Sequence, residues 1–153
     1  NASTLSIDFV MDEPDVRAIM MHPSTMIGSD GIFRGMHGQP DPGRPHPRHF
    51  GTFPRVLGHY CRTLGLLDLP TAVHKMTGLT AKRLGLTDRG EVKEGKVADL
   101  VLFDPKTVRD LATYDDPQQA PEGIELVLNQ GVVVAESGRM VGDTPGGLLR
   151  RQA

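Results

Sequence analysis

The sequence predicts an α/β segment followed by a β segment, with the change near residues 85–90. Two observations predict it. Before that point, apolar residues recur at helical spacing between turn signals, and two short runs read as strands. After it, short apolar runs separated by Gly- and Asp-containing turns read as strands alone. The length of 153 residues suits one domain or two small pieces.

Residues 4–11 alternate apolar and polar through Leu5, Ile7 and Phe9, the pattern of a short strand. Asp12-Glu13-Pro14-Asp15 then supplies a helix start: an Asp cap, acidic first-turn residues and an early Pro. Val16, Ile19 and Met20 give that helix an apolar face, and Pro23 ends it. Thr25-Met26-Ile27-Gly28-Ser29 reads as a buried parallel strand stopping at Ser29-Asp30-Gly31. From Gly31 to His49 runs a loop rich in Gly, Pro, His and Arg, and loops of about twenty residues are usually functional or disordered.

Phe53, Val56, Leu57, Tyr60, Cys61 and Leu64 form a 3.6-residue stripe, predicting an α-helix closed by Gly65. A second helix starts near Pro70 and includes Val73, His74, Met76 and Thr77; Thr80 to Gly85 reads as a further capped turn. Gly90 to Lys96 is a polar turn region. Ala98 to Phe103 is a strand stopped by Asp104-Pro105, and residues 106–123 read as irregular. Leu126-Val127-Leu128 and Val132-Val133-Val134 flank Asn129-Gln130-Gly131 as a hairpin, and Ser137-Gly138 turns the chain again before Met140-Val141. The tail from Leu148 to Arg151 reads as a surface turn or short helix.

Composition narrows the function classes. The net charge of -2 implies no polyanionic partner, and basic residues are not interleaved with aromatics as in nucleic-acid binders. No apolar run approaches the roughly 20 residues that span a bilayer, and no basic-then-apolar leader is present. The lone Cys61 forms no internal disulfide, which fits a reducing, cytoplasmic setting. The start Asn1-Ala2-Ser3, without Met, reads as a fragment or processed product. Abundant Gly and Pro with few aromatics predict shaped loops around a modest core.

Several residue types could carry chemistry. His22, His37, His46, His49, His59 and His74 show neither a His-x-His pair nor the i, i+4 spacing of a metalloprotease helix. His59 and His74 read as surface or satisfied core residues, Cys61, Met20, Met21 and Met76 as packing, and Asp99 and Asp104 as turn residues. Gly28, Gly31, Gly35 and Gly38 lack the Lys-Ser/Thr of a phosphate loop. Arg44, His46, Arg48, His49 and Arg55 form a basic cluster that suits a carboxylate ligand or, more plainly, a solvated loop. Ser29-Asp30-Gly31 is by itself ordinary turn chemistry.

Longer runs carry a resemblance. Met26-Ile27-Gly28-Ser29-Asp30-Gly31 resembles the eighth barrel strand of the amidohydrolase superfamily, whose Asp stands at the strand's C-terminal end. His46 through Gly58 is similar to the segment that follows in D-aminoacylases and their relatives. Ala72 to Thr77 and Ala81 to Gly85 resemble the superfamily's helical region. Gly90 and Gly95-Lys96-Val97-Ala98-Asp99-Leu100-Val101-Leu102-Phe103-Asp104 resemble its passage into a small β-sandwich domain. The whole resembles the C-terminal portion of the N-acyl-D-amino-acid deacylase family.

That resemblance implies a fold: the C-terminal part of a metal-dependent (β/α)8 TIM barrel over residues 1–87, then strands of a small β-sandwich over 88–153. It implies zinc-dependent hydrolysis of N-acyl-D-amino acids to a carboxylate and a free D-amino acid, with one or two Zn ions. Asp30 would be both metal ligand and proton carrier; within the basic cluster, Arg48 and His49 are the substrate-binding residues that its charge suggests. The remaining metal ligands would lie outside this chain, so the chain alone would be inactive and hold no catalytic metal tightly. Implied partners are the small-molecule substrate, the upstream part of the same enzyme and, as an option, a second copy; nucleic acid and membrane are not among them. Two rivals stand beside this reading: a hydantoinase- or dihydroorotase-like cyclic amidase, and a non-catalytic fragment acting in assembly.

Overall fold

The computed structural model describes residues 8, 10–31, 43–142 and 145–149. Most of the strand expected at 4–11 lies outside these, as do His37, Gly35 and Gly38; Val10 and Met11 are exposed and irregular. Among the described residues all helices precede Gly85 and all strands follow Asp99. No described helix is long and apolar enough to cross a membrane.

Helix α1 spans Glu13–Met21, with Asp12 accepting from the Glu13 N–H at 2.8 Å and Pro14 in the first turn. Met20 is buried and Val16 partly so, but Ile19 lies half exposed, outside the expected apolar face. The Arg17 hydrogen bond, at 3.0 Å, holds the Glu13 carboxyl below the usual carboxylate range.

Residues 25–29 carry no regular structure and form no sheet ladder among the described residues, where a parallel strand is expected. A ladder needs a neighbouring strand, and here the neighbour is a helix: the Ile27 N–H donates to the Lys75 carbonyl at 3.2 Å. Lys75 lies on α3, which spans Leu69–Met76. Its side chain is only 3% exposed. A lysine is almost never buried unless paired, and this ammonium donates to the carbonyls of His22 and Thr25, at 2.5 and 3.0 Å. The cation thus satisfies carbonyls just past the C-terminus of α1, where positive charge is favoured. α3 starts where Asp68 accepts from the Thr71 N–H at 2.7 Å; the Thr71 hydroxyl first, and this backbone bond second, keep its carboxyl low. The capped turn expected at 80–85 is the second half of α4, Gly78–Leu84, closed by Gly85 at φ 72°.

The stripe from Phe53 to Leu64 does not form one α-helix. Helix α2 covers Arg48–Arg55, and the chain continues as a π-helical segment over Val56–Thr63. Pro54 sits inside α2 and donates no N–H, which weakens the α ladder where the wider winding begins. The Leu64 N–H accordingly reaches back five residues to the His59 carbonyl at 2.9 Å. Wider winding rotates the ends of the stripe outward: Val56, Leu57 and Tyr60 are buried, while Phe53 and Leu64 are 41% and 39% exposed. The main core gathers Val56 and Tyr60 with Met20, Leu67 and Ala72, and Cys61 packs against it.

The strands form one antiparallel sheet in the order β1 (Leu100–Phe103), β2 (Ile124–Asn129), β3 (Val132–Glu136) and β4 (Arg139–Met140). Leu102 faces Leu126, Val127 faces Ala135 and Glu136 faces Arg139. Both tight turns carry two successive left-handed residues, Gln130 and Gly131 (φ 51° and 82°) and Ser137 and Gly138 (φ 48° and 78°). Such turns match the twist of adjacent strands. Asp99 helps hold the first turn, accepting from the Gln130 N–H at 2.9 Å. The tail at 145–149 has no regular structure, so no helix forms in its described part.

The sheet docks on the helices through the link between β1 and β2. Asp104 accepts from the Lys106 N–H at 2.8 Å and the Thr107 hydroxyl at 3.1 Å, folding the chain back. That turn drives Val108 fully into the interior, beside Gly58 of the π segment and Gly123 ahead of β2. Arg62 caps the seam by donating to the Val108 and Pro105 carbonyls, at 2.6 and 3.1 Å.

Candidate functional site

Asp30 follows the run 25–29 in a left-handed conformation, φ 48°. Asp adopts this region more readily than most residues. Ser29 makes the local turn, its hydroxyl accepting from the Gly31 N–H at 3.1 Å. The backbone therefore follows ordinary turn chemistry, while the Asp30 side chain goes elsewhere. Its carboxylate is 84% exposed and pairs with the Arg48 guanidinium at 3.0 Å. Gly31 keeps the two segments close: a Cβ there would lie 3.3 Å from the His49 Cα.

Arg48 and His49 occupy the first turn of α2. His46 organises that turn. Its Nδ1 accepts from the Arg48 N–H at 3.0 Å, so a neutral ring carries its proton on Nε2. Nε2 then donates to the Tyr114 hydroxyl at 3.3 Å. The two rings also meet edge to face, 5.3 Å apart. Burial, reinforced by neighbouring Arg48 and His49, pushes the His46 pKa below its ordinary value. A folded pKa below the unfolded one stabilises the fold at pH above about 6.5. The contribution disappears as acid protonates the ring. The expected NMR titration of His46 therefore has its midpoint below 6.5, and a midpoint at or above 6.5 contradicts this packing.

The basic cluster seen in the sequence is divided by the fold. Arg48 goes to Asp30. Arg55 goes to Asp110 at 3.3 Å and lies over the Tyr60 ring, 5.9 Å from its centre. Arg44 is exposed. Tyr114, Asp110 and Gln118, which reach this region from the irregular stretch at 106–123, carry no signal in the sequence; the Gln118 amide donates to the Gly43 carbonyl at 3.1 Å. No local periodicity marks such contacts.

Among the described residues no three His, Cys, Asp or Glu side chains converge on a common point. Zinc ordinarily takes four ligands, and the exposed carboxylate of Asp30 is a sound oxygen donor. The described residues thus fit a share of a metal site, a single ligand, and do not make one by themselves. Cys61 is not a candidate, since burial first, and Asp68 second, raise its thiol pKa.

Comparison with known proteins gives a consistent result. A family model described as "Amidohydrolase family" matches residues 6–135. The chain is 51% identical over 148 residues to a D-aminoacylase of Alcaligenes xylosoxydans xylosoxydans, covering 97% of this chain and 29% of that protein. It is 46% identical over 144 residues to an N-acyl-D-aspartate deacylase of the same organism, covering 94% and 28%. A crystal structure of N-acyl-D-glutamate deacylase from Bordetella bronchiseptica, complexed with zinc and a phosphonate inhibitor that mimics the tetrahedral intermediate, superposes with a TM-score of 0.75 at 45% identity. That match covers 86% of this chain and 27% of the other. The chain spans somewhat under a third of the length of each.

Proposed function

From a chain that belongs to the amidohydrolase family, we propose a function: the C-terminal portion of a zinc-dependent, cytoplasmic enzyme that hydrolyses N-acyl-D-amino acids. The products are a carboxylate and a free D-amino acid. In this reading residues 25–29 are the last strand of a (β/α)8 barrel and residues 1–87 its closing stretch, while residues 88–153 belong to a small β-sandwich. The single observation that carries the site assignment is the Asp30–Arg48 pair, joined at 3.0 Å directly after the run 25–29. A carboxylate at the C-terminal end of a barrel strand faces the active-site mouth. The deacylase relatives support the substrate class.

A bound zinc supplies polarisation of the amide carbonyl and a water whose pKa falls toward ~7. Asp30 adds an oxygen ligand and takes the proton from the attacking water. It returns that proton to the amine nitrogen as the C–N bond breaks. Arg48 holds the substrate carboxylate. Its five N–H donors allow a second carboxylate on the fork that already engages Asp30. His49, one residue on, lines the same turn.

The test is a substrate panel for the full-length enzyme: N-acyl-D-amino acids, their L-enantiomers and cyclic imides. Deacylation of the D series is expected, with the L series and the imides slower by at least about tenfold. Turnover of the cyclic imides alone would replace this reading with that of a cyclic amidase. No turnover in any series would favour the assembly role.

A further inference from the structure

The stretch from Asp110 to Gln118 belongs to the link between β1 and β2, yet it lies along the loop and helix that carry Arg48. Four contacts fasten it there. The Gln118 amide donates to the Gly43 carbonyl at 3.1 Å. Tyr114 meets His46 through its hydroxyl and its ring edge. At Gly51 an added Cβ would lie 3.1 Å from the Asp110 Cβ and 3.6 Å from that of Ala112. Asp110 pairs with Arg55 at 3.3 Å. Tyr114 stands at the tip of a turn closed from both ends: the Thr113 N–H donates to the Asp116 carbonyl at 3.0 Å, and the Asp116 N–H to the Thr113 hydroxyl at 2.9 Å.

From this we infer that residues 110–118 form a strap setting the first turn of α2, and that Tyr114 is a positioning residue acting through His46. The imidazole is the bridge. One ring nitrogen is held by the Tyr114 hydroxyl, and the other accepts the backbone N–H of Arg48 itself. Freeing the ring releases the backbone from which the guanidinium projects. Tyr114 is 48% exposed, so little of the core depends on it. A misplacement of about 1 Å at a positioning group is enough to matter to binding. The inference rests on the proposed role of Arg48 toward a substrate carboxylate.

The test compares two substrates in the full-length enzyme: an N-acyl-D-amino acid and the matching N-acyl amine without the carboxylate. The readout is the ratio of their KM values. Arg48→Gln sets the benchmark for losing the carboxylate contact. Tyr114→Ala is expected to lower the preference for the carboxylated substrate about tenfold, with kcat shifted by less than about threefold. Tyr114→Phe keeps the edge contact, loses the hydroxyl and falls between. A general weakening of the structure would slow both substrates together and leave the ratio at its wild-type value, which overturns the inference. So does a wild-type ratio in Tyr114→Ala when Arg48→Gln has lost it; in that case the substrate reading stands. A wild-type ratio in Arg48→Gln overturns both.

Discussion

Asp30→Asn in the full-length enzyme is expected to lose between about a hundredfold and ten-thousandfold in kcat, the range that a positioned general base supplies. The amide keeps the size of the carboxylate but carries no charge, so it neither binds a proton nor attracts a metal comparably. Folding is expected to change little. The Asp30 side chain is 84% exposed and its ion pair with Arg48 is a surface pair, a kind worth at most about 1 kcal/mol. Asn also tolerates the left-handed backbone that Asp30 adopts, φ 48°. The measurement is kcat with and without saturating zinc, beside a thermal melt. A variant retaining more than about a tenth of the wild-type rate would remove Asp30 from the proton-transfer role.

The second large effect falls on the fold. Gly123 combines a left-handed backbone, φ 75°, with contact against a neighbour: a Cβ there would stand 2.5 Å from the Val108 nitrogen and 2.7 Å from its Cα. Gly58 approaches the same residue from the other side, where a Cβ would lie 2.5 Å from the Val108 carbonyl oxygen. These neighbours are backbone atoms and cannot turn away. Gly123→Ala is therefore expected to destabilise by about 2–5 kcal/mol, summing the left-handed penalty and overpacking. Gly131→Ala isolates the first part, since Gly131 has φ 82° but nothing within 4 Å of its Cβ position. It should cost only about 1–2 kcal/mol. Equal losses at the two glycines, measured by denaturant unfolding, would show that the squeeze on Val108 contributes nothing.

What could be read from the sequence were features decided within a few residues. The Asp12 cap, the Pro70 helix start, the stop at Gly85 and the two Gly-containing hairpin turns all depend on local side-chain or backbone preferences, and the structure has them. What escaped depends on residues far apart. The π segment follows from Pro54 and from Gly58 packing on Val108, neither of which alters the apolar spacing of the stripe. Lys75 was indistinguishable from a surface lysine until the carbonyls of His22 and Thr25 stood over its ammonium. The run at 25–29 has strand composition, but composition supplies no neighbour to pair with. Asp30 stands out only through the resemblance of its flanking residues, and Arg48 and His49 as members of a basic cluster. That an aspartate and an arginine eighteen positions apart in sequence form an ion pair came only from the fold, and Tyr114 had no sequence signal.

The seam at Val108 also bears on how freely the connection between α4 and β1 can vary. The two parts are fastened beyond that connection, by a side chain lodged between two glycines and by Arg62 clasping the adjoining carbonyls. That tether is itself tied, by Gly90 packed on Ala81 and Arg89 paired with Asp99, but its exposed stretch at 91–95 can lengthen cheaply, at about 0.6 kcal/mol for each doubling of a flexible loop. Divergence in the tether should therefore leave the docking angle unaltered, whereas one methyl group at either glycine would shift it.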